Sequence, residues 1–129
     1  FGCTGETKAT VLEGINNIKA LNKTVSFIFM GIRILPNTPL AKIAQQEGLI
    51  KIGQDLLEPV YYIAPGIDHK WLEEILTESF KGLRNCVFPP DALDSSLAFL
   101  HKLGYSGSLW DMLIPGNAKR NRKRKDASK

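Results

Sequence analysis

The sequence predicts an α/β fold, and three observations carry that expectation. Segments with apolar residues at helical spacing alternate along the chain with short β-branched and aromatic runs. Glycine and proline punctuate most junctions between them. Hydrophobic residues make up 43% of the 129 and charged residues 23%, an ordinary balance for a domain with a modest core. The order is turn, helix, strand, helix, strand, helix, strand, helix, and such alternation argues for parallel strand pairing.

Gly2 to Gly5 reads as a turn, with Thr4 or Thr7 able to cap the helix that follows and Glu6 favourable near its N-terminus. Val11, Leu12, Ile15 and Ile18 form the apolar stripe of that helix, which ends at Asn22 and Lys23. Val25 to Leu35 reads as one buried strand, with Gly31 marking a bulge or close approach and Arg33 the charge in its second half. Pro36-Asn37-Thr38-Pro39 then turns the chain: Asn37 tolerates a left-handed backbone, Thr38 can cap, and Pro39 suits the first helical position. A short helix through Leu40, Ile43 and Ala44 closes at Gly48. Leu49 to Glu58 is a weakly patterned connection, and Val60 to Ala64 a short strand between Pro59 and Pro65. Asp68 caps a helix with the stripe Trp71, Leu72, Ile75, Leu76 and Ser79, ending at Gly82. Cys86 to Phe88 is a short strand, and after Pro89-Pro90 a helix begins at Asp91 or Asp94, carries Leu93, Leu97, Leu100 and Leu103, and stops at Gly104. Gly107 to Leu113 forms a small apolar patch.

Three short strands are few for a self-contained sheet covered on both faces, and the chain starts at Phe1 inside a Gly-rich turn. Both features lead us to expect the later part of a longer protein. The formal net charge of +4 is concentrated: Lys119 to Lys129 hold seven Lys or Arg, and without them ten basic residues face twelve acidic ones. A basic nucleic-acid footprint should lie across a folded surface, so nucleic acid is not the expected partner. Cys3 and Cys86 make neither a disulfide framework nor a metal set, and fit a reducing, cytoplasmic setting. The longest apolar run, Val25 to Leu35, is too short to span a bilayer, so no membrane partner is expected.

Two segments, taken in order, resemble one family. GCTGETKATVLEGINNIKAL resembles the G-x-P-G-E-T segment and following helix of radical S-adenosylmethionine enzymes. MGIRILPNTPLAKIAQQEGLI resembles their later strand and G-I-R-x-x-P-G-T-x-L segment, through Gly31, Ile32, Arg33, Pro36, Thr38, Leu40, Ala44, Glu47 and Gly48 together. PVYYIAPGID and the closing GxxGSLWDML resemble the C-terminal parts of members with an upstream cobalamin-binding domain, so the likeness covers roughly residues 1 to 114.

The resemblance implies a fragment of a (β/α) barrel with a C-terminal α/β extension. Residues 1–58 would belong to the barrel, 59–116 to an extension packed on it, and 117–129 to a disordered basic tail. It implies an iron–sulfur, oxidoreductase-like parent that uses S-adenosylmethionine and a [4Fe–4S] cluster, with cobalamin in an upstream domain. This chain has no C-x-x-x-C-x-x-C loop. The resemblance therefore gives it pocket walls and not the cluster ligands, and it would not be catalytic alone. Thr4 stands where the family has Pro and Asn37 where it has Gly. The turn at Gly2, Cys3, Thr4 and Gly5 would lie near the cofactor's adenosine.

Arg33, read as buried, calls for a paired acid as a structural ion pair, or for a cofactor or substrate at the barrel mouth. The expected partners are the N-terminal part of the same protein and a small-molecule substrate that the sequence does not identify. Exposed strand edges could also pair with a second copy. A different reading makes the chain a non-catalytic interaction or RNA-binding module acting through the basic tail.

Overall fold

A computed structural model describes residues 1–107 and 110–114. They form an α/β arrangement of helices with two small sheets, each of two strands: α1 (Lys8–Ala20), β1 (Ser26–Phe27), β2 (Ile32–Arg33), α2 (Pro39–Gln46), β3 (Tyr61–Tyr62), α3 (His69–Phe80), β4 (Cys86–Val87), α4 (Asp94–Lys102) and the single turn α5 (Trp110–Leu113). Among the described residues these sheets do not close into a barrel. The basic tail expected at 117–129 lies outside the described residues. No helix among the described residues is long and apolar enough to cross a membrane.

The helix starts follow local chemistry. At α1, Thr7 and Thr10 cap reciprocally: the Thr7 amide donates to Thr10 Oγ1 at 2.9 Å and the Thr10 amide to Thr7 Oγ1 at 3.3 Å. This is the geometry of a capping box with a hydroxyl in place of the usual Glu or Gln. At α2, Thr38 Oγ1 accepts from the Ala41 amide at 3.2 Å and donates to the Leu35 carbonyl at 2.7 Å, with Pro39 opening the helix. At α3, Asp68 Oδ1 accepts from the Trp71 amide at 2.7 Å. Helix α4 begins at Asp94, one of the two starts expected. Leu93 occupies the cap position without a side-chain bond, and Asp94 stands in the first turn, where its charge meets the positive end of the helix. Asn37 takes a φ of 62°, the left-handed conformation expected of it.

The chain divides into two compact units. Unit 1 is Phe1–Ile15 with Met30–Ile75, and unit 2 is Asn16–Phe29 with the described residues from Leu76 onward. Helices α1 and α3 each contribute their first part to unit 1 and their last part to unit 2. The core of unit 1 consists of Val11, Ile15, Ile34, Ala41 and Ala44, together with Ile50, Tyr62, Ala64, Ile67 and Leu72. That of unit 2 consists of Ile28, Leu76, Phe80, Cys86 and Val87.

The expected strand from Val25 to Leu35 is corrected. It bends at Gly31, whose φ of +76° lies outside the β region, and its halves join different sheets. In unit 2, β1 pairs with β4 in parallel, Ser26 opposite Cys86 and Phe27 opposite Val87. The ladder continues through Ile28 N–H to the Val87 carbonyl at 3.0 Å, and Asn85 Nδ2 donates to the Thr24 carbonyl at 3.4 Å. In unit 1, β2 pairs with β3 in the antiparallel sense, against the expectation of parallel pairing throughout. The α3 stripe buries Leu72, Leu76 and Phe80, whereas Trp71 is half-buried with Lys8 Nζ 4.9 Å from its ring centroid. On α4 no residue is fully buried, and Leu103 is exposed.

Replacing the Thr38 hydroxyl leaves the Ala41 amide without its acceptor. Thr38→Ala is expected to lower unfolding stability by about 1 kcal/mol in urea denaturation, and Thr38→Asn to restore most of it.

Candidate functional site

The site expected from sequence lies in unit 1, at the turn between Gly2 and Glu6. Cys3 to Glu6 form a β-turn, closed by the Glu6 amide donating to the Cys3 carbonyl at 3.1 Å. Gly5 takes a φ of +74°, as a type II turn requires at its third position. Thr4 occupies the second position, where Pro fits without strain. The Glu6 side chain folds back over this turn, and its Oε2 accepts from the Gly2 amide and, at 3.2 Å, from the Cys3 amide. A carboxylate thus satisfies two loop amides that would otherwise face a ligand or water.

Two more segments meet this turn through the backbone. The Gly31 amide donates to the Phe1 carbonyl at 2.7 Å, and the Ala64 amide donates to the Gly2 carbonyl at 3.1 Å. A Cβ on Gly2 would lie 3.3 Å from the Gly31 nitrogen and from Ile63 Cγ1. A Cβ on Gly31 would lie 3.1 Å from both Tyr61 Cβ and the Tyr62 carbonyl oxygen. Both glycines also hold positive φ, +98° and +76°, so each position disfavours a side chain for two separate reasons, crowding and backbone strain. The close approach expected at Gly31 is therefore present, and its partner is the chain around Gly2 and Tyr61–Ile63.

Of the predicted site residues, Gly2 is buried in this contact, while Cys3, Thr4 and Gly5 are exposed on the turn. A Cβ on Gly5 would meet nothing within 4 Å. Arg33 lies two residues beyond Gly31 on β2, opposite Tyr61. It is exposed, not buried, so the premise that it must find a buried acid is corrected. Both residues of β2, Ile32 and Arg33, are exposed, and Ile34 just beyond them is buried.

Sequence reasoning did not single out Glu6 as the group that ties the turn, nor Tyr62. Tyr62 is 1% exposed. Burial, and after it the hydrogen bond and negative charge of the Glu47 carboxylate, hold its phenol above the ordinary value of 10.0. Glu47 belongs to the second motif and Tyr62 to the third, so this pair joins two segments noted separately in the sequence. The signal for Glu6 was its spacing of four and three residues from the two amides it binds.

The described residues contain no group of three or more His, Cys, Asp or Glu able to hold a metal ion. Cys3 is exposed in unit 1 and Cys86 buried in unit 2, where burial raises its thiol pKa and the nearby Lys19 charge partly offsets the rise. Comparison with known protein families, curated proteins and solved structures finds no match to this chain.

The two glycines separate conformational strain from crowding. Gly5→Ala is expected to cost about 1 kcal/mol, from positive φ alone. Gly31→Ala should cost more, about 1–3 kcal/mol, since the Tyr61–Tyr62 strand must also move. Urea denaturation of both variants measures the difference. Tyr62 gives a pH dependence. The unfolded chain releases the phenolic proton near the ordinary value while the folded chain retains it. Stability is therefore complete below about pH 10 and falls as pH rises past it. Alkaline unfolding followed by circular dichroism should show this loss, and Tyr62→Phe should make it shallower.

Proposed function

We propose that this chain is the C-terminal portion of a radical S-adenosylmethionine enzyme and supplies walls of its cofactor and substrate pocket. One observation carries the reading. Three segments that resemble that family, GCTGET, GIR and PVYYIAP, come together at one backbone contact around Gly2, Gly31 and Ala64. Chance likeness in unrelated stretches gives no reason for their glycines to be mutual close-contact partners.

In this reading Phe1–Gly2 and Gly31–Arg33 are neighbouring inner segments of a (β/α) barrel whose other strands lie upstream. Their ends would then face the mouth where barrels build their sites. The exposed turn Cys3–Gly5 offers backbone polar groups beside the adenosine. Exposed Arg33 is available to a carboxylate of the cofactor, of the substrate or of the rest of the barrel. Glu6 keeps the turn in shape by holding the Gly2 and Cys3 amides.

The residues of this chain do not fit the iron–sulfur cluster. Its two cysteines fall in different units, and a cluster needs three or four clustered thiolates. Bound S-adenosylmethionine would supply radical chemistry in the assembled parent, and an upstream cobalamin domain belongs to the same proposal.

The reading frame preceding the Phe1 codon tests this directly. An in-frame C-x-x-x-C-x-x-C loop followed by further βα units is the expected result. A frame with neither overturns the proposal.

A further inference from the structure

Unit 2 contains a cleft of about 450 Å³ that owes nothing to the turn at Gly2. That volume lies in the range of small-molecule sites. Its floor is apolar and buried: Phe80 at the end of α3 and Cys86 and Val87 on β4 are each no more than 6% exposed. Leu83, Phe88, Leu93 and Leu113 form the walls, from four successive stretches of the unit.

The rim carries charge of one sign. Lys81 and Arg84 line the cleft, and no described lining residue is acidic. The Arg84 guanidinium donates to the Met112 carbonyl at 3.0 Å, and among the described residues its other N–H groups are open to a ligand. Lys81 Nζ lies 3.8 Å from Glu78 Oε2, with both side chains largely exposed. Lys81 thus has an acid near it, whereas Arg84 is held at the rim by a neutral carbonyl. The match is to one negative charge carried on an apolar body.

We propose that this cleft binds a small amphipathic carboxylate, its apolar chain or ring over Phe80, Val87 and Leu93 and its carboxylate at Arg84. A planar carboxylate suits a guanidinium held by a neighbouring carbonyl, because the remaining N–H groups present a fixed fork. The apolar body supplies most of the binding by leaving water, and the arginine selects the head group. The proposal stands independently of the radical-enzyme reading, since every residue it uses lies in unit 2.

Decanoate, kept below its micelle-forming concentration, is the probe, and the full 129-residue chain is titrated by calorimetry and amide NMR. Saturable one-site binding is expected, with shifts concentrated between Thr77 and Leu93. Decanol, the uncharged counterpart, should bind about ten-fold more weakly, the factor that one charge-assisted hydrogen bond gives. Arg84→Gln should reproduce that loss for decanoate and leave decanol unchanged, with an unaltered thermal melt. Leu93→Trp, which fills the cleft, should remove binding of both. The proposal is overturned by absent or non-saturable decanoate binding, by shifts centred outside the cleft, or by equal affinity of Arg84→Gln and the parent chain for decanoate.

Discussion

Two backbone hydrogen bonds, from the Gly31 amide to the Phe1 carbonyl and from the Ala64 amide to the Gly2 carbonyl, hold the first residues of the chain between two later segments. Much of unit 1 depends on this contact. The approach is close enough that a Cβ on Gly2 or Gly31 would crowd its neighbours and make them give by a few tenths of an ångström. Once it forms, Gly31 must turn the chain, Ile32 and Arg33 must pair with Tyr61 and Tyr62, and Tyr62 is carried into the core beside Glu47. The Glu6 carboxylate secures the other side of the same contact by binding the amides of Gly2 and Cys3. Each of these groups is local in the sequence or small in area. Their combined effect is a defined surface at the exposed turn.

The parts of this fold legible in the sequence were those decided within four or five residues. Thr38 and Asp68 cap where a cap was expected, Asn37 takes the left-handed conformation, and Gly48, Gly82 and Gly104 follow their helices with positive φ. Each outcome depends on a side chain reaching a neighbouring amide, or on one residue's backbone freedom. The apolar run Val25 to Leu35 was not legible in the same way. Its composition favours extended chain throughout, and nothing in it states that one half will pair with Cys86–Val87 and the other with Tyr61–Tyr62. Gly31 was recognised as a close approach, but a close approach does not name its partner. The burial assigned to Arg33 failed for the same reason: it assumed one continuous buried strand, whereas the second half forms a separate two-stranded sheet whose Ile32 and Arg33 are both exposed.

The candidate site divides along similar lines. Gly2 through Gly5 could be read as a turn, and the family likeness placed it beside a cofactor. Glu6 acts on amides three and four residues away, but the contributions of Ile63 and Tyr62 depend on contacts between segments about 15 to 60 residues apart, which a single sequence does not encode in any local pattern. The cleft in unit 2 was hidden for a further reason. Its lining residues are ordinary core types, and only their arrangement leaves a space between them and places Arg84 and Lys81 at its edge.

The start of α1 shows what choosing a hydroxyl over a carboxylate does. Thr7 and Thr10 satisfy each other's amides without placing a formal charge at the helix end. A glutamate in the same position would add attraction to the helix dipole, but that share would be weakened by salt and lost on acidification. The threonine pair gives up that electrostatic increment. In exchange, its geometry is insensitive to ionic strength and to mild acid, so the helix that follows the turn keeps its origin when the solvent around the turn changes.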